Sequence, residues 1–400
     1  MAILFLPAGL LAFFRGLFDL CGVQMAGYLV QYASIGVLSA AVFLRALMFR
    51  QLASVSAVKL TSACAFVALA GSSFALTVAK TGAWEGVLYL GVMAFWTFYL
   101  VSMGSGARVL GVVPLEKLLL VPLLANLTVG LLEHSGKVVM PGSSLYGEFI
   151  RPAGLMGSMQ HYAITLAIAA CFYLQVFLAT KAPVYLVIAV AFMLGTMASL
   201  TRSGYLILGL CAAFLCAAEG IRALLRRKVL RVAWTVLLSS ASAVLLAGSL
   251  VAKHLEPFWE RATTMLHPGA PGNPERLAAW RTALEMWAES PLVLGDAVGV
   301  VTQSTGKVFR DAHTVNVESG VLQQLVNFGL LGALAFYVML LLTLWEIHRR
   351  HKVLRGAVLA GILQSLVYMS IETVPYMFLL GLAPALSDRL RRLERGGQSG

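Results

Sequence analysis

Four arginines are the residues in this chain whose chemistry is easiest to interpret. Arg151, Arg202, Arg276 and Arg281 lie in or beside segments that connect long apolar stretches. A guanidinium group binds phosphate oxygens through two parallel hydrogen bonds. The loops on one face of a membrane protein are usually rich in basic residues. Arginines on the opposite face therefore indicate a polyanionic ligand, and a lipid-linked pyrophosphate is the natural candidate.

Each arginine also has a structural explanation that needs no ligand. Arg202 could extend to lipid headgroups, and Arg281 could pair with Glu285 one turn further along a helix. Arg151 could simply anchor a turn. Arg276 has no opposite charge three or four residues later, so the sequence offers it no ordinary helical partner.

A polar segment, Asp311–Ser319, precedes a long apolar stretch. A carboxylate or an imidazole at this junction could take a proton from a sugar hydroxyl, which makes Glu318 and His313 the candidate bases. The alternative is helix capping, with Asn316 or Thr314 as the cap and Glu318 stabilised by the helix dipole.

The composition indicates which elements must position these residues. Hydrophobic residues make up 59% of the 400 residues and charged residues 12%, which is not the composition of a soluble domain. Apolar stretches near the ~20 residues that span a bilayer recur from end to end. We predict an all-α integral membrane protein of about 12 transmembrane helices, at 2–19, 23–48, 60–79, 84–103, 109–131, 159–179, 182–200, 204–220, 230–251, 318–345, 354–371 and 374–387.

Basic residues are concentrated in alternate connections, which is the positive-inside pattern of membrane proteins. This pattern explains the net charge of +12 through contact with anionic lipid rather than nucleic acid. It predicts cytoplasmic termini and three outward segments, 132–158, 200–204 and 252–317. The predicted regions are transmembrane helices over 1–251, a long loop over 252–317, further transmembrane helices over 318–388 and a basic cytoplasmic tail over 389–400.

The long loop contains its own helix signal. Asn273 is a good N-cap residue, Pro274 suits the first helical position, and Trp280 and Trp287 recur at helical spacing before Pro291. We predict an amphipathic helix over 274–290 that packs against the surface of the membrane domain.

Several chemistries have no motif in the sequence. There is no P-loop, nucleotide fingerprint, HExxH or outward Asp-x-Asp pair, and the five cysteines lack metal-ligand spacing. We therefore predict no cofactor and no metal. An activated substrate would have to come from elsewhere, as a lipid-linked donor does.

Four short motifs between about residues 150 and 335 occur in a recognisable order. They are Arg151-Pro-Ala-Gly-Leu-Met-Gly157, Thr201-Arg-Ser-Gly204, Arg276-Leu-Ala-Ala-Trp280 with Pro291 and Gly295, and Gly329-Leu-Leu-Gly332. In this order they resemble the signature of the O-antigen ligase/polymerase superfamily, also called the Wzy/WaaL type.

The resemblance implies a GT-C-like, metal-independent, inverting glycosyltransferase of the bacterial inner membrane. Its donor would be an undecaprenyl-pyrophosphate-linked glycan, and its active site would face the periplasm. In this family arginines hold the pyrophosphate, and a histidine at the loop–helix junction helps to activate the acceptor hydroxyl. The resemblance also implies a flippase and a chain-length regulator as partners in the same pathway.

One departure from the family pattern bears on the reaction. Ligases carry a His-Asn pair at a fixed interval before the closing Gly-Leu, and Glu318-Ser319 stands in that place here, with His313 further upstream. This resembles polymerase members more than ligases that transfer to lipid A–core. The sequence leaves open whether Glu318 or His313 is the base.

A transporter or flippase of a lipid-linked or anionic substrate is the alternative from a different class. It would use the same arginines for binding, and it should carry polar residues through the middle of the membrane. The predicted helix interiors are mostly apolar apart from Glu116-Lys117, which is either part of such a path or a sign that helix 109–131 is wrongly placed.

Overall fold

The protein is mainly helical, with one short β-hairpin. A computed structural model describes residues 2–49, 57–82, 84, 86–146, 149–226, 269, 273–301, 317–368 and 373–396. The elements in chain order are α1 Ala2–Phe13, α2 Arg15–Leu20, α3 Gln24–Met48, α4 Ala57–Thr81, α5 Gly86–Ser105, α6 Ala107–Leu110, α7 Leu115–Leu118, α8 Leu120–His134, β1 Ser144–Tyr146, β2 Phe149–Arg151, a 3₁₀ turn Gly154–Met156, α9 Met159–Thr180, α10 Pro183–Ala198, α11 Arg202–Arg226, α12 Asn273–Glu289, α13 Gly320–Glu346, α14 Lys352–Gln364 and α15 Val374–Gly396.

Six helical stretches in these described ranges are long and apolar enough to cross a membrane. They are Gln24–Met48, Ala57–Thr81, Gly86–Ser105, Leu115–His134, Met159–Thr180 and Gly320–Glu346, and α1, α10 and the first part of α11 are shorter apolar helices. The prediction of a helical, membrane-embedded protein is therefore confirmed. The predicted helix 230–251 lies outside the described residues.

Some predicted helix boundaries are wrong. Instead of one helix over 109–131, α6 ends at Leu110 and a new helix starts at Leu115, because Pro114 interrupts the chain. Glu116 consequently lies at a helix end, where Arg389 binds it at 3.0 Å, and not in the membrane middle. The predicted basic tail is helical as far as Gly396 as part of α15.

The centre of the bundle is α9. Of its most apolar window, 72% is buried, more than in the other five candidate spans of the described chain. Small residues such as Ala163, Ala167 and Ala170 are fully or almost fully buried and let α10, α11, α14 and α15 approach closely. The segments that precede α9 and α11 are therefore carried by a tightly packed core.

A break inside α13 joins this helix to the segment that follows α12. At Gly329 the backbone leaves helical geometry, with φ 67° and ψ −175°. The amide of Leu330 donates to the carbonyl of Leu292 at 3.0 Å, and that of Leu331 to Val293 at 3.2 Å. These carbonyls satisfy amide groups that the break would otherwise leave unpaired.

The joined segments lie well along α13 and α4 from the end of the bundle that carries Lys59 and Glu346. A rise of about 1.5 Å per residue places Gly329 roughly 25 Å along α13 from Glu346, and Ser73 roughly 21 Å along α4 from Lys59. Lys59 and Glu346 form a buried ion pair of 2.7 Å at that end of the bundle, and the Ser73 hydroxyl donates to the carbonyl of Leu294. The segment 290–295 therefore contacts α4 and α13 between their ends.

The helix predicted over 274–290 is present. It is observed as α12, which follows the first half of α13 from its start to its break. Ala283 is fully buried, and Trp280 and Trp287 are partly buried in the same cluster, which includes Leu322 and Val326 of α13. Packing along α13 fixes the position of α12 at both ends.

Gly329→Ala should destabilise the protein strongly. An added Cβ would lie 2.5 Å from backbone atoms of Leu294 and Gly295, and φ +67° is unfavourable for alanine. We expect a loss of about 2 kcal/mol or more, seen as a lower melting temperature in detergent. Gly91→Ala is the matched control, because Gly91 has open space around it and lies in a regular helix. Equal melting temperatures for the two variants would contradict this account of the break.

His351 should make the protein less stable as the pH falls. Its side chain is buried and contacts Ser387 at 2.7 Å and Glu394 at 3.4 Å, and burial lowers its pKa to about 4. The neighbouring groups act in both directions: Glu394 raises this pKa, while His348 and Arg391 lower it further.

Below about pH 6.5 the unfolded chain binds a proton at this histidine that the folded protein does not bind until about pH 4. Stability should therefore decline between these values by about 3 kcal/mol. His351→Gln should remove that part of the decline when melting temperatures at pH 7 and pH 4.5 are compared. An identical decline in wild type and variant would show that His351 does not cause it.

Candidate functional site

The starts of α11, α12 and α13 meet at one end of the bundle. Arg202, the first residue of α11, donates from Nη1 to Asn273 Oδ1 at the start of α12, at 2.6 Å. One turn along α12, Arg276 donates to Glu318 Oε2 from Nε at 2.9 Å and from Nη2 at 2.6 Å. Glu318 precedes α13, so two side-chain contacts connect three helix N-termini.

This arrangement favours anions. Unpaired amide groups give each helix N-terminus a partial positive charge, and backbone amides at such an end are ready donors to phosphate or carboxylate. Arg202 and Arg276 add two full positive charges at the same place. The carboxylate of Glu318 is the anion that contacts Arg276 in the described structure.

Glu318 lies just outside α13 and not in its first turn. Ser319 is the N-cap of this helix and accepts a hydrogen bond from the Leu322 amide at 3.3 Å. Glu318 itself has φ +48°, a left-handed conformation that is uncommon for a residue with a side chain. The predicted caps, Asn316 and Thr314, lie outside the described residues.

The Arg276–Glu318 ion pair is partly open to solvent. The side chains are 27% and 30% exposed, and an ion pair that solvent reaches contributes only about 1 kcal/mol or less. Both donors of Arg276 point at the same carboxylate oxygen, so Glu318 covers the guanidinium edge that would bind phosphate. A more highly charged anion can therefore compete for this arginine.

Arg151 is connected to the same group of residues through Thr201. Its Nη2 donates to Thr201 Oγ1 at 3.3 Å, and Thr201 Oγ1 donates to the Ser199 carbonyl at 3.0 Å. Arg151 is the last residue of β2, whose hairpin partner strand places Ser144 opposite it. Thr201 directly precedes Arg202, so Arg151 lies beside the start of α11.

Glu133 holds the segment that carries Arg151, a role that the sequence does not indicate. Its fully buried carboxylate accepts from the Met140 amide at 3.1 Å and from the Gly154 amide at 2.6 Å. It thereby fixes the segment 151–157 that carries Arg151. Gly154 has φ +57°, and a Cβ there would lie 2.8 Å from the Tyr162 ring. A single acidic residue at the end of an apolar helix was too weak a sequence signal to identify this role.

The structure connects some predicted site residues and leaves others apart. Arg151, Arg202, Arg276 and Glu318 belong to one series of neighbouring contacts. Arg281 is exposed, and within the described ranges it forms no ion pair, including with Glu285. It leaves α12 about 140° around the axis from Arg276. His313 lies outside the described residues.

Metal chemistry has no ready ligand set in this part of the chain. Among the residues that the structure describes, no three His, Cys, Asp or Glu side chains are grouped so that they could hold a metal ion. Charge stabilisation at the site would come from the guanidinium groups and the helix N-termini.

Neither a scan against protein-family models nor a search of curated proteins finds a match for this chain. A functional assignment therefore rests on the geometry of the site and on the motif resemblance.

Glu133→Gln should displace the Arg151 segment. A glutamine offers one acceptor oxygen and turns an amide donor towards a backbone N–H, so one buried N–H loses its partner. We expect a loss of about 1–3 kcal/mol, measured as a lower melting temperature in detergent. Glu285→Gln, at an exposed position on α12, is the control and should melt like wild type. A wild-type melting temperature for Glu133→Gln would show that this carboxylate does not hold the segment.

Proposed function

We propose that this protein is a membrane glycosyltransferase that polymerises undecaprenyl-pyrophosphate-linked repeat units into O-antigen or exopolysaccharide. The observation that carries the proposal is the direct contact between Arg276 and Glu318 at the junction of three helix N-termini. It places a phosphate-binding group beside a carboxylate that can accept a proton. The motif resemblance supplies the substrate class.

In this proposal the donor pyrophosphate binds to Arg202 and Arg276, with Arg151 assisting, because Arg281 leaves α12 on another side from Arg276. The positive groups stabilise the charge that develops on the pyrophosphate as it leaves. The contacts Arg202–Asn273 and Arg151–Thr201 support this role because they orient the guanidinium groups before substrate arrives. Neither a metal nor another cofactor is needed for charge stabilisation.

Donor binding and base activation are coupled through Arg276. A pyrophosphate that takes over the guanidinium edge displaces the carboxylate of Glu318. The released carboxylate is then free to accept a proton from the acceptor. The modest strength expected of a partly exposed pair supports this exchange. His313 remains the alternative base.

The chemical step is an inverting displacement. A hydroxyl oxygen of the acceptor sugar attacks the anomeric carbon of the donor from the face opposite the pyrophosphate. The bond from the anomeric carbon to the pyrophosphate oxygen breaks, and undecaprenyl pyrophosphate leaves with the electron pair. The hydroxyl proton passes to Glu318 or His313. In a polymerase the acceptor is another lipid-linked repeat unit.

The proposed setting is the bacterial inner membrane, with a GT-C-like fold, about 12 spans and the site facing the periplasm. The basic connections would then face the cytoplasm. This orientation is supported by the position of Arg389, Arg392 and the Lys59–Glu346 pair at the opposite end of the bundle from Arg276. A flippase and a chain-length regulator are the proposed pathway partners.

The transporter alternative is less well supported. Many buried hydroxyl side chains within the described helices donate to a carbonyl of their own helix, as Ser39, Thr97, Thr196 and Thr343 do. Such groups are already paired within their own helix. A ligase would use the same donor chemistry, and it differs from a polymerase only in taking lipid A–core as acceptor.

The test uses purified full-length protein and undecaprenyl-pyrophosphate-linked repeat units, with products resolved by size. Wild type should give a ladder of longer lipid-linked glycans, and Arg276→Ala should give none because leaving-group stabilisation is lost. Arg108→Ala is the matched control, since Arg108 is exposed at the opposite end of the bundle. Glu318→Gln should lower turnover by at least about 100-fold if Glu318 is the base.

A full-length ladder from Arg276→Ala would overturn the assignment. Transfer by wild type only when lipid A–core is added would identify a ligase. No covalent change with either acceptor, with the native glycan as donor, would favour the transporter.

A further inference from the structure

Four arginines form a basic cluster at the end of the bundle opposite the proposed donor site. Two of them lie in the turn between α13 and α14 and two lie one turn apart on α15: Arg349, Arg350, Arg391 and Arg395. Arg391 is partly exposed and the other three are exposed. The cluster shares no residue with the donor site, so a ligand here would be a different one.

Ser387 holds the turn against α15. Its hydroxyl accepts from the His348 amide at 2.8 Å and contacts Nδ1 of His351 at 2.7 Å. On the other side of the ring, Nε2 of His351 lies 3.4 Å from Glu394, one helical turn or so further along α15. These contacts fix the turn beside the last part of α15 and so bring the two pairs of arginines together.

The side chain of His348 lies within reach of most of the cluster. Burial lowers the pKa of this imidazole, and the positive charges of Arg391 and Arg350 lower it further. Arg395 acts in the same direction and Glu394 in the opposite one. Three of the four cluster arginines are therefore close enough to act on one side chain.

Carboxylates neutralise the other arginines of this part of α15 but not the cluster. Arg389 binds Glu116 at 3.0 Å, and Arg392 binds Asp388 at 3.0 Å. Within the described part of the chain, none of the four cluster arginines forms an ion pair. Like charges one turn apart on a helix repel each other. Folding thus concentrates positive charge that an anionic ligand would neutralise.

The surface next to the cluster is apolar. Trp345, four residues before Arg349, is 74% exposed, and Leu341, one turn earlier on α13, is 40% exposed. Tryptophan is enriched at the level of the lipid headgroups in membrane proteins. The arginines therefore lie near headgroup level with apolar surface beside them for an acyl chain, which favours a lipid over a soluble polyanion.

We propose that the basic cluster binds a phospholipid with two phosphate groups, of the diphosphatidylglycerol (cardiolipin) type. One phosphate would bind to the two arginines of the turn and the other to the two of α15, with an acyl chain against Trp345. Guanidinium groups bind phosphate oxygens through paired hydrogen bonds, and basic pockets on the cytoplasmic side of membrane proteins bind such headgroups. This lipid site is separate from the glycan reaction.

The test uses full-length protein in a neutral detergent, with bound lipid measured by native mass spectrometry. Wild type should retain cardiolipin more strongly than phosphatidylglycerol, which carries one phosphate, and phosphatidylcholine should be lost first. Arg391→Gln combined with Arg395→Gln should weaken cardiolipin binding about 30-fold, at about fivefold for each basic residue.

Arg45→Gln combined with Arg108→Gln is the matched control, because it also removes two exposed arginines at this end of the bundle. The carbonyl of Arg108 accepts from Arg392 of α15 at 3.3 Å. Gly106, two residues earlier, packs against Val42, which lies one turn before Arg45 on α3. This variant should bind cardiolipin with close to wild-type affinity.

A charge-conserving variant guards against misfolding. Arg391→Lys combined with Arg395→Lys keeps both charges and should bind cardiolipin within about fivefold of wild type; binding as weak as that of the glutamine variant would contradict recognition by charge. Equal affinities of the glutamine variant and its control would overturn the site, as would equal retention of cardiolipin and phosphatidylglycerol by wild type. No retained lipid at all would reject a lipid ligand and favour an acidic segment of a partner protein. No glycan is present, so the result is independent of the polymerase assay.

Discussion

In a bilayer the backbone amides of a broken helix must find partners within the protein, because hydrocarbon offers none. The break of α13 at Gly329 meets this requirement through the carbonyls of Leu292 and Val293. Those bonds hold the segment that follows α12 against the break in α13. Since α12 also packs along α13 through Ala283, its other end is fixed beside Glu318. The position of Arg276 thus depends on a backbone pairing far from its own side chain.

The same placement determines the electrostatics of the site. Three helices begin next to one another, and their N-termini and the guanidinium groups of Arg202 and Arg276 add positive potential at one point. A carboxylate there forms a pair with an arginine and stays partly exposed. The arrangement therefore brings a carboxylate into contact with a guanidinium group where positive potential is concentrated. Glu133 and Thr201 contribute by holding the segments on either side.

Much of the fold could be predicted because the length of an apolar stretch is visible in consecutive residues of the sequence. Helices such as Gln24–Met48 and Met159–Thr180 agree closely with the predicted stretches 23–48 and 159–179. Predictions failed where one residue competes with the apolar pattern, as Pro114 does in the stretch 109–131. The capping of α13 by Ser319 was missed because several nearby polar residues could serve equally well. The role of Glu133 depends on Met140 and Gly154, which only folding brings to it.

The sequence by itself determined the class of the protein and its candidate groups. The composition and the apolar stretches of helix length indicate a protein that folds in a membrane. The arginines, and the polar segment with Glu318 before α13, are evident from residue type and spacing. The tertiary structure decided which of these groups meet. It joined Arg276 to Glu318 and Arg202 to Asn273, and it left Arg281 exposed. These contacts link residues 42 and 71 positions apart in the chain. Contacts between residues so far apart depend on helix packing and backbone pairing, which a local sequence pattern does not encode.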